Sequence, residues 1–139
     1  MLSEETHAQI EKRNQVFDNI AKDFTYTMGN LKARDETKQK GWTNLSLTYG
    51  EIEFKSFYQI FRWIQQTFKD TDPDCWHNAF NNPGGSFIDL GHGTGKGVLC
   101  GALMHQFEKS WGIELLESLQ ALSVEMKAVY DGYVQQVDE

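Results

Sequence analysis

The sequence predicts an α/β fold built on a parallel strand pair, on three observations. A short apolar run, Ser86-Phe-Ile-Asp-Leu90, is followed at once by a burst of glycines and then by Val98, Leu99, Ala102, Leu103 and Phe107 at helical spacing. A second short run spans 109–113. It leads into Leu115, Leu119, Leu122, Met126, Val129 and Tyr133, which step by four and three along a long last helix. The resulting β-α-β-α unit closes most simply as two adjacent parallel strands joined by a right-handed crossover containing a helix of about 15 residues.

Ahead of that unit the pattern is helical. Ile10, Phe17, Phe24 and Leu31 recur every seven positions, with Ile20 and Met28 on a neighbouring line, so an amphipathic helix is expected over 4–31. Ser3 before Glu4 and Glu5 fits its N-cap, and Gly29-Asn30 or the charged tract 32–40 fits its end. The tract through Gly41 reads as an exposed loop. Phe57, Ile60, Phe61, Ile64 and Phe68 predict a second helix starting near Phe54. The stretch 69–85 collects Asp, Asn, Gly84-Gly85 and both prolines, and reads as a long connector. No internal repeat or low-complexity segment is present.

The 139 residues carry 13 Lys and Arg against 20 Asp and Glu, a net charge of −7 that argues against direct nucleic-acid binding. Hydrophobic residues at 40% suffice for one core. No apolar run approaches the roughly 20 residues needed to span a bilayer, and residues 1–10 lack the features of a signal peptide, so no membrane partner and an intracellular location, nuclear or cytoplasmic, are expected. Cys75 and Cys100 lie far apart without metal-ligand spacing, so both are expected to be reduced thiols, with no metal site.

The chemistry concentrates at Asp89-Leu90-Gly91-His92-Gly93-Thr94-Gly95-Lys96-Gly97, where glycines let a ligand approach the backbone as a strand turns into a helix. A phosphate-binding Walker loop needs GxxxxGK followed by Ser or Thr. Here Leu90 stands at the first glycine position and Gly97 at the hydroxyl position. A dinucleotide fingerprint needs GxGxxG, but counted from Gly91 the third glycine comes one residue early, and counted from Gly93 the last position is Val98. What remains is Asp-x-Gly-x-Gly-x-Gly with Glu114 at the end of the second strand, where a carboxylate can accept both hydroxyls of a ribose. This set resembles the cofactor site of Rossmann-like class I S-adenosylmethionine-dependent methyltransferases.

The resemblance narrows further. Phe-Ile-Asp-Leu-Gly-His-Gly-Thr-Gly-Lys (87–96) and Trp-Gly-Ile-Glu (111–114), preceded by Thr-Tyr-Gly-Glu (48–51), are similar to the non-SET histone-lysine methyltransferases named for disruption of telomeric silencing, over 48–130. The resemblance implies that Tyr49 and Glu51 cover the methionine end of S-adenosyl-L-methionine, that Asp89, Gly91, Gly93 and Gly95 hold its amino-acid moiety, and that Glu114 holds its ribose. Three positions depart from the family pattern: Ile52 for Thr, Lys96 for Gln and His92 for Ser. Lys96 could set its ammonium against the cofactor carboxylate or extend as a solvated helix-start lysine. His92 could face a ligand through its ring nitrogen, but exposure to water is the more common case for a loop histidine and is the expectation. Glu51 could orient a ligand or cap the helix starting near Phe54. Trp42, Trp63, Trp76 and Trp111 read as core or rim fillers rather than an aromatic cage.

The implied fold is the N-terminal β-α-β-α half of a class I methyltransferase, with 1–47 a helical segment and loop and 48–139 the partial cofactor-binding domain. Substrate-side residues of class I enzymes lie at the end of a fourth strand, so the expectation is a truncated domain with no catalytic residue assignable. The resemblance implies methyl transfer to a lysine of a basic, histone-like protein. A cofactor-binding module without catalysis, or a class I methyltransferase for another substrate, stays open. The first strand's open edge and the apolar stripes of the first and last helices also raise the expectation of a homodimer or of a larger molecule supplying the remaining strands.

Overall fold

The seven-residue repeat of Ile10, Phe17, Phe24 and Leu31 does not run through one helix. In the computed structural model, which describes residues 4–44, 47–68 and 82–137, helix α1 (Glu4–Ala21) stops before Phe24, and α2 (Tyr26–Gln39) runs through the charged tract expected to be a loop. The break has a local cause. The Phe24 N–H donates to Ala21 O at 2.9 Å, and Thr25, in extended backbone, caps α2 by accepting from Met28 N at 3.2 Å. Phe24 is buried at the corner, whereas Leu31 is 56% exposed. The inward line of α2 is Gly29, Ala33 and Glu36, two small residues and a carboxylate that a search for apolar periodicity passes over. Ser3, the expected cap of the first helix, lies outside the described residues.

Helix α3 (Phe54–Phe68) starts where expected, but buries Phe54, Tyr58 and Phe61 while Ile60 and Trp63 are exposed. The Phe17 and Phe54 rings meet at 5.3 Å between centroids, joining α3 to α1. Of the connector, only 82–85 is described; Cys75, Trp76, Asn78 and Asn81 fall outside.

Strands β1 (Ser86–Leu90) and β2 (Lys109–Ile113) pair in parallel as expected, in register from Ser86 opposite Lys109 to Leu90 opposite Ile113. Helix α4 (Lys96–Met104) between them has nine residues, shorter than expected. Phe107 lies beyond it, in an aromatic cluster with Phe61, Phe87 and His105. The helix ends early because the segment before β2 is tied to the sheet: Gly84 N donates to Gln106 O at 2.8 Å and Glu108 N to Gly85 O at 2.9 Å. Arg13 of α1 donates to Met104 O at the C-terminus of α4 at 2.9 Å, satisfying one of that end's orphan carbonyls. Helix α5 (Glu117–Val137) closes the unit and packs against α1 and α2.

The core lies on one side of the sheet, where α4 packs against α1, α3 and both strands. The other face, Ile88, Leu90, Trp111 and Ile113, is exposed, Leu90 to 75%. Trp42 and Trp63 are likewise exposed, so the described tryptophans are surface or rim residues, and none of them is in the core. Cys100 is a free thiol fully buried in α4, and burial pushes it up to about 12. Among the described residues no helix is long and apolar enough to cross a membrane, and no group of acidic, Cys or His side chains is placed to hold a metal ion.

Candidate cofactor site

The turn after β1 needs its glycines for backbone reasons. Gly91, Gly93 and Gly95 have φ of 79°, 59° and 92°, a left-handed region that costs other residues strain. Gly91 N donates to Ile113 O at 2.7 Å and Gly95 N to His92 O at 2.9 Å, so the turn is laced to the end of β2 and to itself. Gly95 is the N-cap of α4 and supplies no side-chain cap. Nothing lies within 4 Å of where a Gly91 Cβ would be, which leaves open space above the turn.

Glu114 stands across that space at the end of β2. Its Oε2 accepts from Gly93 N and its Oε1 from Leu116 N, each at 2.8 Å. A carboxylate has about four lone-pair sites, so two backbone donors leave capacity for ligand hydroxyls. Glu114, Gly91 and Gly93 share a cavity of about 260 Å³ with apolar walls from Leu90, Ile113, Leu115 and Leu119. Residues Thr48, Tyr49 and Gly50 close its remaining side. The cavity sits at the carboxyl ends of parallel strands, where open α/β sheets bind ligands. A larger cavity of about 430 Å³ runs between α4 and α5 beside β2; Gly95 and His92 line it, but Glu114 does not. The smaller cavity joins the strand-end carboxylate to the open face of the turn, which makes it the candidate site.

Tyr49 is the wedge between the two halves of this region. Its ring fills the space where a Gly93 Cβ would stand, 2.7 Å from Cε2, and where a Gly29 Cβ of α2 would stand, 2.5 Å from Cε1. Tyr26 stacks on it at 5.7 Å. Its hydroxyl donates to Glu51 Oε1 and lies 3.0 Å from Thr94 Oγ1. Burial, reinforced by Glu51, pushes the phenol well above its usual range and keeps it a proton donor. Glu51 spends its other oxygen on Lys96, at 2.7 Å. The Glu51 side chain thus engages Tyr49 and Lys96; the first-turn bond of α3, from Phe57 N, goes to Glu53 O. Glu51 and Lys96 line an adjoining cavity of about 380 Å³, separate from the one that holds Glu114.

Asp89 is half-buried on the inner side of β1, and burial pushes its carboxyl up, His92 opposing and Glu114 adding to the rise. It sits against Gly97 in the first turn of α4, where any Cβ would collide with its Oδ2. His92 is not the water-exposed loop residue expected. It is 8% exposed, its Nδ1 2.9 Å from Gly93 O and its Nε2 2.9 Å from Gln120 Oε1, bracing the turn against α5.

Of the sequence-derived residues, Tyr49, Gly91, Gly93 and Glu114 come together around one cavity, Glu51 and Lys96 pair beside it, and Asp89 and Gly95 lie behind the turn. Tyr26, Thr94 and Glu36 were not singled out from the sequence, since each reaches the site by a contact distant in the chain. A family model described as histone methylation protein DOT1 matches residues 35–137. No curated protein and no solved structure matches the chain.

Proposed function

The chain belongs to the family of histone methylation protein DOT1, and from that premise we propose that it binds S-adenosyl-L-methionine in the cavity at Glu114 and passes the methyl group to a lysine of a basic, histone-like protein. The observation that carries the reading is the Glu114 carboxylate facing open space over Gly91 in a cavity of about 260 Å³. That size suits a nucleoside, and the chemistry fits: a carboxylate for a ribose diol, and leucine and isoleucine walls for an adenine ring.

When bound, the cofactor supplies a methyl carbon made electrophilic by its sulfonium. The chain's own residues bind and orient it. Glu114 holds the ribose hydroxyls, the backbone of 91–95 approaches the amino-acid portion, and Asp89 contributes negative charge for an ammonium. Tyr49, pinned by Glu51 and Thr94, closes the methionine end against water, and Lys96 holds Glu51 in place. In this reading the parallel unit is the N-terminal part of a Rossmann-like class I fold, and 48–139 is its cofactor-binding portion. A net charge of −7 favours encounter with a basic partner, and a histone substrate implies work in the nucleus.

A second reading, a cofactor-binding module without transfer, is favoured by one observation: every residue assigned above lies on the donor side. The two readings separate when the protein is incubated with core histones and S-adenosylmethionine carrying a labelled methyl group. Label in histone lysine supports transfer. Saturable cofactor binding without label supports the module, and absence of binding overturns both.

A further inference from the structure

Helix α5 begins directly after the cofactor-site carboxylate, in the order Glu114-Leu115-Leu116-Glu117. Leu115 and Leu116 carry no side-chain acceptor, and Glu114 spends its oxygens on Leu116 N and Gly93 N, so the first N–H groups of the helix are not capped from the residues just before it. The acceptors come from α2 instead. Glu36 Oε1 accepts from Glu117 N at 3.0 Å and Oε2 from Ser118 N at 2.8 Å, across 81 and 82 residues of sequence. Lys40 donates to the same carboxylate at 2.6 Å, and the Ser118 hydroxyl donates to Lys32 O at 3.3 Å. Glu36 is only 9% exposed. Its bonds to two successive N–H groups are directional, so beyond stabilising the fold they set the register of α5 against α2.

The same helix reaches the other wall of the cavity. Gly29 and Tyr26 of α2 seat the Tyr49 ring, while Glu36 seats the first two residues of α5, three and four positions after Glu114. We propose that Glu36 is a positioning residue of the nucleoside site: from α2 it holds the turn 114–116 and so aims the Glu114 carboxylate at the ribose of the bound cofactor. This rests on the reading of the cavity given above.

The test compares affinity for S-adenosylmethionine and for its 2′-deoxyribose analogue by calorimetry, in the whole chain and in Glu36→Gln, Glu114→Gln and the double variant. The unaltered protein should prefer the ribose ligand by about tenfold, the size of one hydrogen bond to a charged acceptor. In Glu36→Gln that preference should collapse toward the value in Glu114→Gln, and the double variant should lose no more than Glu114→Gln alone. Glu117→Pro is a second probe that keeps both carboxylates. It removes one donor to Glu36 at the helix position proline favours, and should lose part of the preference. An unchanged ratio in Glu36→Gln and in Glu117→Pro, whatever happens to absolute affinity or melting temperature, overturns the positioning role while leaving the cavity reading intact. If the unaltered protein binds neither ligand, or both equally, the cavity reading fails and the proposal with it.

Discussion

The two helices that follow the two strands begin in opposite ways. Helix α4 starts from Gly95, in left-handed backbone with no side-chain cap, beneath a turn with open space above Gly91. Helix α5 starts from two leucines and is capped by a buried carboxylate brought from α2. The first start leaves open space over Gly91, while Tyr49 packs on Gly93 and Ser123 and Met126 on Gly95. The second is occupied by a side chain of the protein itself, three and four residues after Glu114. Rigidity at one helix start and access at the other is the combination a preorganised cofactor site needs.

The largest expected effect comes from making the second start resemble the first. Glu36→Ala leaves two helix N–H groups and Lys40 without their shared acceptor, and should lower the stability of the fold by about 2–3 kcal/mol in denaturant titration. A loss below about 0.5 kcal/mol, the scale of an ordinary surface substitution, would mean that water replaces the cap. The comparison also sharpens with pH. Burial alone would raise the Glu36 carboxyl, but hydrogen bonds from Lys40, Ser118 and Glu117 overcome it and hold it at about 2, below the ordinary 4.5. Because the folded value is the lower one, this stabilisation is complete above the ordinary value and is lost as pH falls from 4.5 toward 2. Acid unfolding followed by circular dichroism should show a loss in that window that Glu36→Gln lacks.

Gly95→Ala tests the first helix start. A φ of 92° and a Cβ 3.1 Å from Ser123 Cβ should cost about 1–2 kcal/mol and push the turn out of line, weakening cofactor binding more than Glu36→Ala does relative to its stability loss. Lys96→Met should have the smallest effect. The pair with Glu51 is a single ion pair, and its loss should lower stability by about 1 kcal/mol or less, with the difference from the unaltered protein shrinking at high salt.

The same contrast explains what could be read in advance. The glycine turn, both strands and the place of Glu114 just after β2 were legible because a sharp βα turn demands its glycines at short spacings within the chain and the acid follows its strand directly. The α2 helix was not. Its inner residues, Gly29, Ala33 and Glu36, carry no apolar period, and Met28 and Leu31, which extend the period of α1, are exposed. His92 was misjudged because its burial depends on Gln120, 28 residues on, and on the packing of α5 against the turn. Glu36 looked like one charge in a solvated tract, since nothing near it in sequence shows that it ends against a helix 81 residues away. Local chemistry was readable, and capping at a distance was not.

Binding of S-adenosylmethionine in the cavity at Glu114 is put to the proof by calorimetric titration of the protein with that compound, alongside Glu114→Gln. The expected result is saturable one-to-one binding, weakened by about 10-fold to 100-fold in the variant, as loss of a charged acceptor requires, while the far-ultraviolet circular dichroism of the two proteins coincides. Equal affinity in a folded Glu114→Gln variant, or no binding to the unaltered protein, would contradict it.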